Sequence, residues 1–483
     1  MTGKRVSRAG LTLGFGTMCE HALLFLRTVL LARLLGPEFF GISITYVLVV
    51  STFVLISDLG IEKYVIQAGQ EDLDRTMPTL AGLLLARGLI MAGLIVALSG
   101  WIAARFGHPD LGWFYAIAAL APAIEGFRNL DPLAQQREMN FAASVKMILG
   151  GLIPGVAIAV VLAALTSSYI AVAAGSVASA IITVALSHLL ARHRWRIGFD
   201  RQAFASVMRY GWPLLINGVV IFFATQGDRI VIGALEGMRA LAGYAAVAAL
   251  TGGVSLFLSK LTGNLYFPLL SEARGNPALF SDRCHATGAS SLLLVSATVF
   301  PLAVLGAPIV LLLFGPAYAT PALLVALLAI QAGALMLRSW CATISLSLGG
   351  TSDILVASIL RIAGLGGAIL ALSSGKDVVW VAACMSAGDA AATGLALWRV
   401  SRRTRAAARS CAIFGLMFAL LAGLAIALAM WLDPGGNWIV ALFGAAVAGA
   451  PGMIVALAVS RELRVRIRAL GAQVADRFYR KEA

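Results

Sequence analysis

The chain has 483 residues, 60% of them hydrophobic and only 12% charged, with a formal net charge of +14 at pH 7 and a mean hydropathy of +0.90. Such a composition excludes a soluble globular protein of this size, whose surface would need far more polar sequence. Apolar stretches of about 20 residues recur from end to end, each long enough at about 1.5 Å per residue to cross a hydrocarbon core of about 30 Å. The fold class is therefore all-α, a polytopic helical membrane protein.

Breaks at glycine, proline and charge clusters divide the chain into fourteen spans. In order they cover 9–33, 38–58, 77–104, 111–130, 141–165, 169–190, 211–235, 241–268, 287–314, 320–346, 353–373, 377–398, 411–432 and 437–460. Lys4, Arg5 and Arg8 precede the first, which is too long for a signal peptide and lacks a small-residue cleavage site, so it is expected to be retained. With the N-terminus cytoplasmic, only four basic residues outside the span interiors fall on the far side: Arg33, Arg105, Arg239 and Lys376. That bias is the positive-inside rule, so both termini are expected to be cytoplasmic, in the inner membrane. The net positive charge then reflects contact with anionic membrane lipids and gives no reason to expect nucleic acid.

Two basic segments, "RHRWRIGFDRQAFASVMRYG" and "RVSRRTRAAARS", set the expected organisation: a six-span lobe at 1–191, a cytoplasmic linker at 192–210, and a second six-span lobe at 211–398. A basic loop at 399–410, two further spans within 411–460, and a tail at 461–483 complete it. In that tail Leu463, Ile467, Leu470, Val474 and Phe478 recur at helical spacing among arginines, as in an amphipathic surface helix or an extension of the last span.

The lobes share a weak internal repeat. "RTVLLARLLGPEFFG" can be laid on "RIVIGALEGMRALAG", matching Arg27 with Arg229, Val29 with Val231, Ala32 with Ala234 and Gly41 with Gly243. Both segments end the first span of a six-span block, carry an arginine inside the membrane and reverse through a short turn. Six spans per block make the repeat parallel, with its axis along the membrane normal, an architecture of transporters with a central cavity.

The stretch "LLARLLGPEFFGISITYVLVVSTFVLISDLGIEKYVIQ", with its LGPEFFG turn and SDLG close, resembles the start of the bacterial polysaccharide flippases. These are the O-antigen and exopolysaccharide exporters of the multidrug/oligosaccharidyl-lipid/polysaccharide superfamily. "GDRIVIGALEG" and "AGYAAVAAL" are similar to that family's seventh and eighth spans. The resemblance implies a lipid-linked cargo, an undecaprenyl-pyrophosphate oligosaccharide whose sugars and pyrophosphate cross inside the protein while the polyprenyl tail stays in lipid. Polysaccharide assembly enzymes would be its partners.

Six basic residues lie within the spans: Arg27, Arg87, Arg229, Lys260, Arg338 and Arg361. An arginine at mid-membrane costs at least about 2.5–3.5 kcal/mol on insertion scales, so each needs a partner or a polar cavity. As cargo ligands they would neutralise pyrophosphate. Otherwise Glu20 would hold Arg27, Asp228 would hold Arg229, and Lys260 would snorkel to the interface. Arg87, Arg338 and Arg361 have no acid on the same expected helix face. Three deep acids, Glu20, Asp228 and Asp389, are candidates for coupling to a proton or sodium ion, or for pairing with these arginines. Glu125, Arg128, Asp58 and Asp353 lie near span ends and are expected to be solvated. Pro154, in "GGLIPG", is the expected hinge.

Five cysteines (Cys19, Cys284, Cys341, Cys384 and Cys411) lack CxxC spacing, and the five histidines lack HExxH, so neither a disulfide framework nor a metal site is expected. An enzyme is not expected either: the extracytoplasmic loops are short and "SGKD" is no Walker A motif. Two other readings stay open. A drug or metabolite exporter of the same superfamily would favour a more acidic cavity, and a polysaccharide polymerase or glycosyltransferase would need larger loops.

Overall fold

The computed structural model describes residues 3–67, 70–350, 352–432 and 438–459, and among them the regular structure is helical, with no strand. The lipid environment dictates this, since a bilayer offers no water to backbone N–H and C=O groups and a helix satisfies them within one segment. In order the helices are α1 (Gly3–Ile56), α2 (Ile61–Gln67), α3 (Gln70–Arg105), α4 (Gly112–Ile117), α5 (Leu120–Glu125), α6 (Asp131–Ala134), α7 (Ala142–Thr166) and α8 (Ile170–Leu189). There follow α9 (Arg201–Leu235), α10 (Met238–Glu272), α11 (Pro277–Phe314), α12 (Ala322–Ser347), α13 (Ser352–Ser373), α14 (Val378–Arg403), α15 (Arg405–Leu432) and α16 (Trp438–Val459). Eleven are long and apolar enough to cross a membrane. The remaining three of the fourteen expected crossings are the second arm of α1, the broken pair α4 and α5, and α16.

The expected turn between the first two spans is a kink at one residue. Gly36 sits at φ 70° and ψ 170°, ahead of Pro37, a backbone conformation that costs glycine little and other residues more. The kink strips the preceding carbonyls of their helical partners, and the Tyr318 hydroxyl donates to the Ala32 carbonyl at 2.7 Å. The fourth span is not one helix. Pro122 has no N–H to return to Ala118, and the chain crosses the gap with tighter i to i−3 bonds, Ala118 N–H to Tyr115 and Ala119 N–H to Ala116. By contrast α7 runs unbroken through Pro154.

The chain forms two compact units. The first comprises Met1–Ala246 with Phe314–Tyr318, the second Val247–Leu313 with Ala319–Ala483; this division falls at Ala246, well after the expected linker at 192–210. In the first unit a buried apolar cluster of Ile61, Val65, Leu80, Leu84, Leu130, Leu133, Met147 and Val207 fixes α2 and α3 against the short helices. The two segments matched as a repeat touch there, because a Cβ on Gly41 would overlap the Met238 carbonyl. In the second unit Trp340 is fully buried, donates to Thr287 Oγ1 at 3.0 Å and stands edge-on to Phe414, inside a core shared by α11, α12 and α15. The expected amphipathic tail at 461–483 lies outside the described residues.

Small residues set the closest helix contacts, as expected where packing drives association in lipid. A Cβ on Gly88 of α3 would overlap the Pro122 carbonyl of α5. In the second unit Gly364 of α13 and Gly388 of α14 bring the two backbones into contact. We expect Gly88→Val to destabilise the protein by about 1–3 kcal/mol through overpacking, read as a lower melting temperature of the purified protein in detergent; an unchanged melting temperature would contradict this contact.

Candidate functional site

Among the described residues, the second unit holds the most buried ion-paired carboxylate. Asp389 on α14 is 1% exposed and receives two guanidinium groups: Arg338 Nη2 from α12 at 2.6 Å and Arg361 Nε from α13 at 2.9 Å. Arg338 Nη1 also donates to the Asp389 carbonyl and to Thr393 Oγ1, both at 3.1 Å. Local sequence explains the assembly. Gln331, seven residues before Arg338 and on the same face, donates to the Ala382 carbonyl and Ser386 Oγ and so turns that face of α12 towards α14. The Gly364–Gly388 contact lies beside Arg361 and Asp389 and lets α13 approach. The acid missing from the arginines' own faces is thus supplied by another helix. One carboxylate for two arginines leaves an excess positive charge within the spans.

Arg27 stands differently. It lines a cavity of about 130 Å³ in the first unit, together with Glu125 and small residues of α7 and α8 that include Gly155, Gly175, Ser176 and Ser179. Among the described residues it has neither a hydrogen bond nor an ion pair, so the expected Glu20–Arg27 pair is absent. Gly155 and Gly175 pack backbone to backbone, leaving Arg27 a polar opening between α7 and α8.

Arg87 lines a neighbouring cavity of about 240 Å³ with Asp58, Glu62, Lys63, Glu125 and Arg128. Its Nε donates to Ser57 Oγ at 2.9 Å and its Nη2 to the Val54 carbonyl at 2.7 Å. The Val54 carbonyl lies in the last turn of α1, where helical N–H donors run out, so Arg87 caps the helix, and its charge complements the negative end of the helix dipole. Arg128 pairs with Glu62 and keeps a buried Nε without an acceptor. Glu125 lines both cavities, and among the described residues its carboxylate has no ion pair or hydrogen bond.

Two span-end expectations and one expected pairing inside the spans change. Arg128 is largely buried, with a side chain 13% exposed. Asp353 is 5% exposed rather than solvated, held by Arg399 at 2.8 Å and Arg403 at 3.4 Å. Asp228 does not form a side-chain pair with Arg229: it accepts from the Tyr244 hydroxyl at 2.5 Å and the Arg229 backbone N–H at 2.8 Å. Arg229 instead donates to Gln226 Oε1 at 2.6 Å. Lys260 is exposed on α10, and Glu20 is half-buried on α1. Arg128 was expected in solvent; the signal for its burial was Pro122, six residues earlier, which breaks the span, whereas Glu125 is exposed.

Removing one partner from a buried ion pair strands the other charge, which typically costs about 3–5 kcal/mol. We expect Asp389→Asn to lower stability on that scale, and Arg27→Gln, with no partner to strand, to leave melting unchanged or raise it. Equal destabilisation of both variants in detergent would contradict this contrast.

A family model described as polysaccharide biosynthesis protein matches residues 30–322. The succinoglycan biosynthesis transport protein ExoT of Rhizobium meliloti (strain 1021) is 24% identical over 315 residues, which are 65% of this chain; the match spans 63% of that protein's length. Among solved structures, the lipid II flippase MurJ in an inward closed conformation has a TM-score of 0.66 at 13% identity, covering 90% of this chain and 97% of that one. An inward-facing multidrug resistance MATE family transporter of the MOP superfamily also has a TM-score of 0.66, at 14% identity, covering 83% of this chain and 99% of that one. At these identities the two structures establish a shared fold and nothing finer.

Proposed function

Since the chain belongs to the polysaccharide biosynthesis protein family, we propose that it is a flippase that moves an undecaprenyl-pyrophosphate-linked oligosaccharide from the cytoplasmic to the outer leaflet. The observation that carries this reading is the positive charge its own acids do not neutralise: Arg27 has no partner, and Arg338 and Arg361 share Asp389. A guanidinium left without a counter-ion among spans is costly to maintain, and a pyrophosphate offers the oxygens that guanidinium forks bind best.

The residues divide by role. Arg27 is the ligand with free donors. Arg338 and Arg361 carry charge that Asp389 holds in place, with Asp389 orienting them. Arg87 contributes its remaining donors while capping α1. The basic bias of the connecting segments supports cytoplasmic termini. Proton or sodium coupling would fall to a carboxylate free of arginine, which points to Glu20 or Asp228 before Asp389. The exporter reading lacks comparable support, because a cationic drug would meet these arginines as like charges.

The test is deletion of the gene in its own host, with assays of surface polysaccharide and of lipid-linked intermediates on each leaflet. Complementation would use wild type, Arg27→Gln, Arg338→Ala and Arg361→Ala at matched membrane levels. We expect deletion to trap intermediates on the cytoplasmic face and Arg27→Gln to fail to restore export although the protein is stable. Normal polysaccharide and unchanged intermediates after deletion would overturn the proposal.

A further inference from the structure

The segment Arg192–Asp200 reads as a flexible basic connector, yet it is stitched to the first unit. Asp131, 4% exposed, accepts from the Arg192 backbone N–H at 2.7 Å and pairs with His193 Nδ1 at 2.6 Å. Asn129 Nδ2 donates to the His193 carbonyl at 3.1 Å, and Gly198 N–H donates to the Pro78 carbonyl at 3.0 Å. Asp200 completes the seam, taking Arg75 at 2.8 Å and capping α9 through the Gln202 and Ala203 N–H groups. Burial pushes the Asp131 carboxyl up, but the hydrogen bonds from Arg192, His193 and Gln135, and the His193 charge, outweigh it and hold the group below the usual aspartate range. The seam is therefore intact at neutral pH.

Between the stitched segment, α3 and α6 lies a cavity of about 420 Å³. Met77, Pro78, Ala81 and Leu130 supply apolar lining, and Arg137, Arg192, Arg194 and Arg196 supply charge. Arg192 is paired with Glu138 at 2.8 Å. Among the described residues Arg137, Arg194 and Arg196 have no ion pair or hydrogen bond. Trp195 also lines the cavity, and its indole N–H is buried without an acceptor, a state that costs free energy until an oxygen satisfies it. The lining is drawn from the start of the α3 span and from just past the ends of α5 and α8, the ends of apolar spans where headgroups would lie.

We propose that this cavity is a binding site for a phosphate group, taken from an anionic lipid headgroup or from a soluble phosphate. Three guanidinium groups without partners face one cavity, the bonds from Asp131 to Arg192 and His193 fix the backbone that carries Arg194 and Arg196, and guanidinium forks suit phosphate oxygens. The apolar lining beside them suits the glycerol and upper acyl carbons of a lipid. The site is independent of the flippase reading, since it uses none of the arginines within the spans.

The test uses the full-length protein in nanodiscs of phosphatidylcholine, titrated with phosphatidylglycerol and counted by native mass spectrometry, with inorganic pyrophosphate as a second arm read by thermal shift. The variants are the triple Arg137→Ala, Arg194→Ala, Arg196→Ala and a control triple of equal charge, Arg402→Ala, Arg405→Ala, Arg409→Ala. We expect retained phosphatidylglycerol to bind about tenfold more weakly in the first triple, from the lost charge-assisted hydrogen bonds, and unchanged in the control. Stabilisation by pyrophosphate that the first triple abolishes would assign the site to soluble phosphate instead, and competition between the two ligands would assign it to both. Equal loss in both triples, or no loss in the first for either ligand, would overturn the proposal. If the first triple does not fold, the exposed single changes Arg194→Ala and Arg196→Ala should each weaken binding in the same direction, and normal binding in both would also overturn it.

Discussion

A charge inside hydrocarbon must be held by something, and that constraint organises the buried polar structure of this chain. The basic side chains within the spans meet it in different ways. Arg338 and Arg361 are drawn to one carboxylate, Arg87 binds the open end of a helix, Arg229 finds an amide one turn away, and Lys260 is exposed. Arg27 alone among these arginines meets it with a polar opening rather than a partner. The same requirement acts on the backbone, where the Tyr318 hydroxyl serves a carbonyl that the Gly36 kink releases.

Close helix contact is what lets the charges meet. Gly364 and Gly388 remove the side chains that would keep α13 from α14, and the arginine and aspartate beside them fall within ion-pair distance. Gly88 plays the same part for α3 and α5 and places Arg87 next to the cavity that Glu125 and Arg128 share. Packing and electrostatics are therefore coupled: a bulkier residue at any of these three glycines would loosen a helix pair and disturb a buried charge at once.

At the ends of the spans, charge serves a different purpose. Asp131, Asp200 and Asp353 each gather donors from segments distant in sequence and fix connecting chain against helix ends. A basic stretch such as Arg192–Arg196 thereby becomes a surface of defined shape. The basic residues that carry the charge bias of the sequence thus also line a cavity.

Much of this was legible in the sequence, because hydrophobic length and charge bias act residue by residue and need no knowledge of neighbours. The all-α class, the order of spans, the arginines within them and the resemblance carried by "LLARLLGPEFFG" could all be read that way. Helical spacing also placed Gln331 and Arg338 on one face. What spacing could not give was the identity of the partner. Asp389 is 51 residues from Arg338 in sequence, and Arg27 and Glu20, near in sequence, are not paired. Arg128 looked solvated because span length was counted as if the helix were continuous, whereas Pro122 breaks it. The sequence by itself determined which residues enter the membrane, since transfer from water is a local cost. Only the tertiary structure decided which charges are neutralised, since pairing depends on where different helices touch.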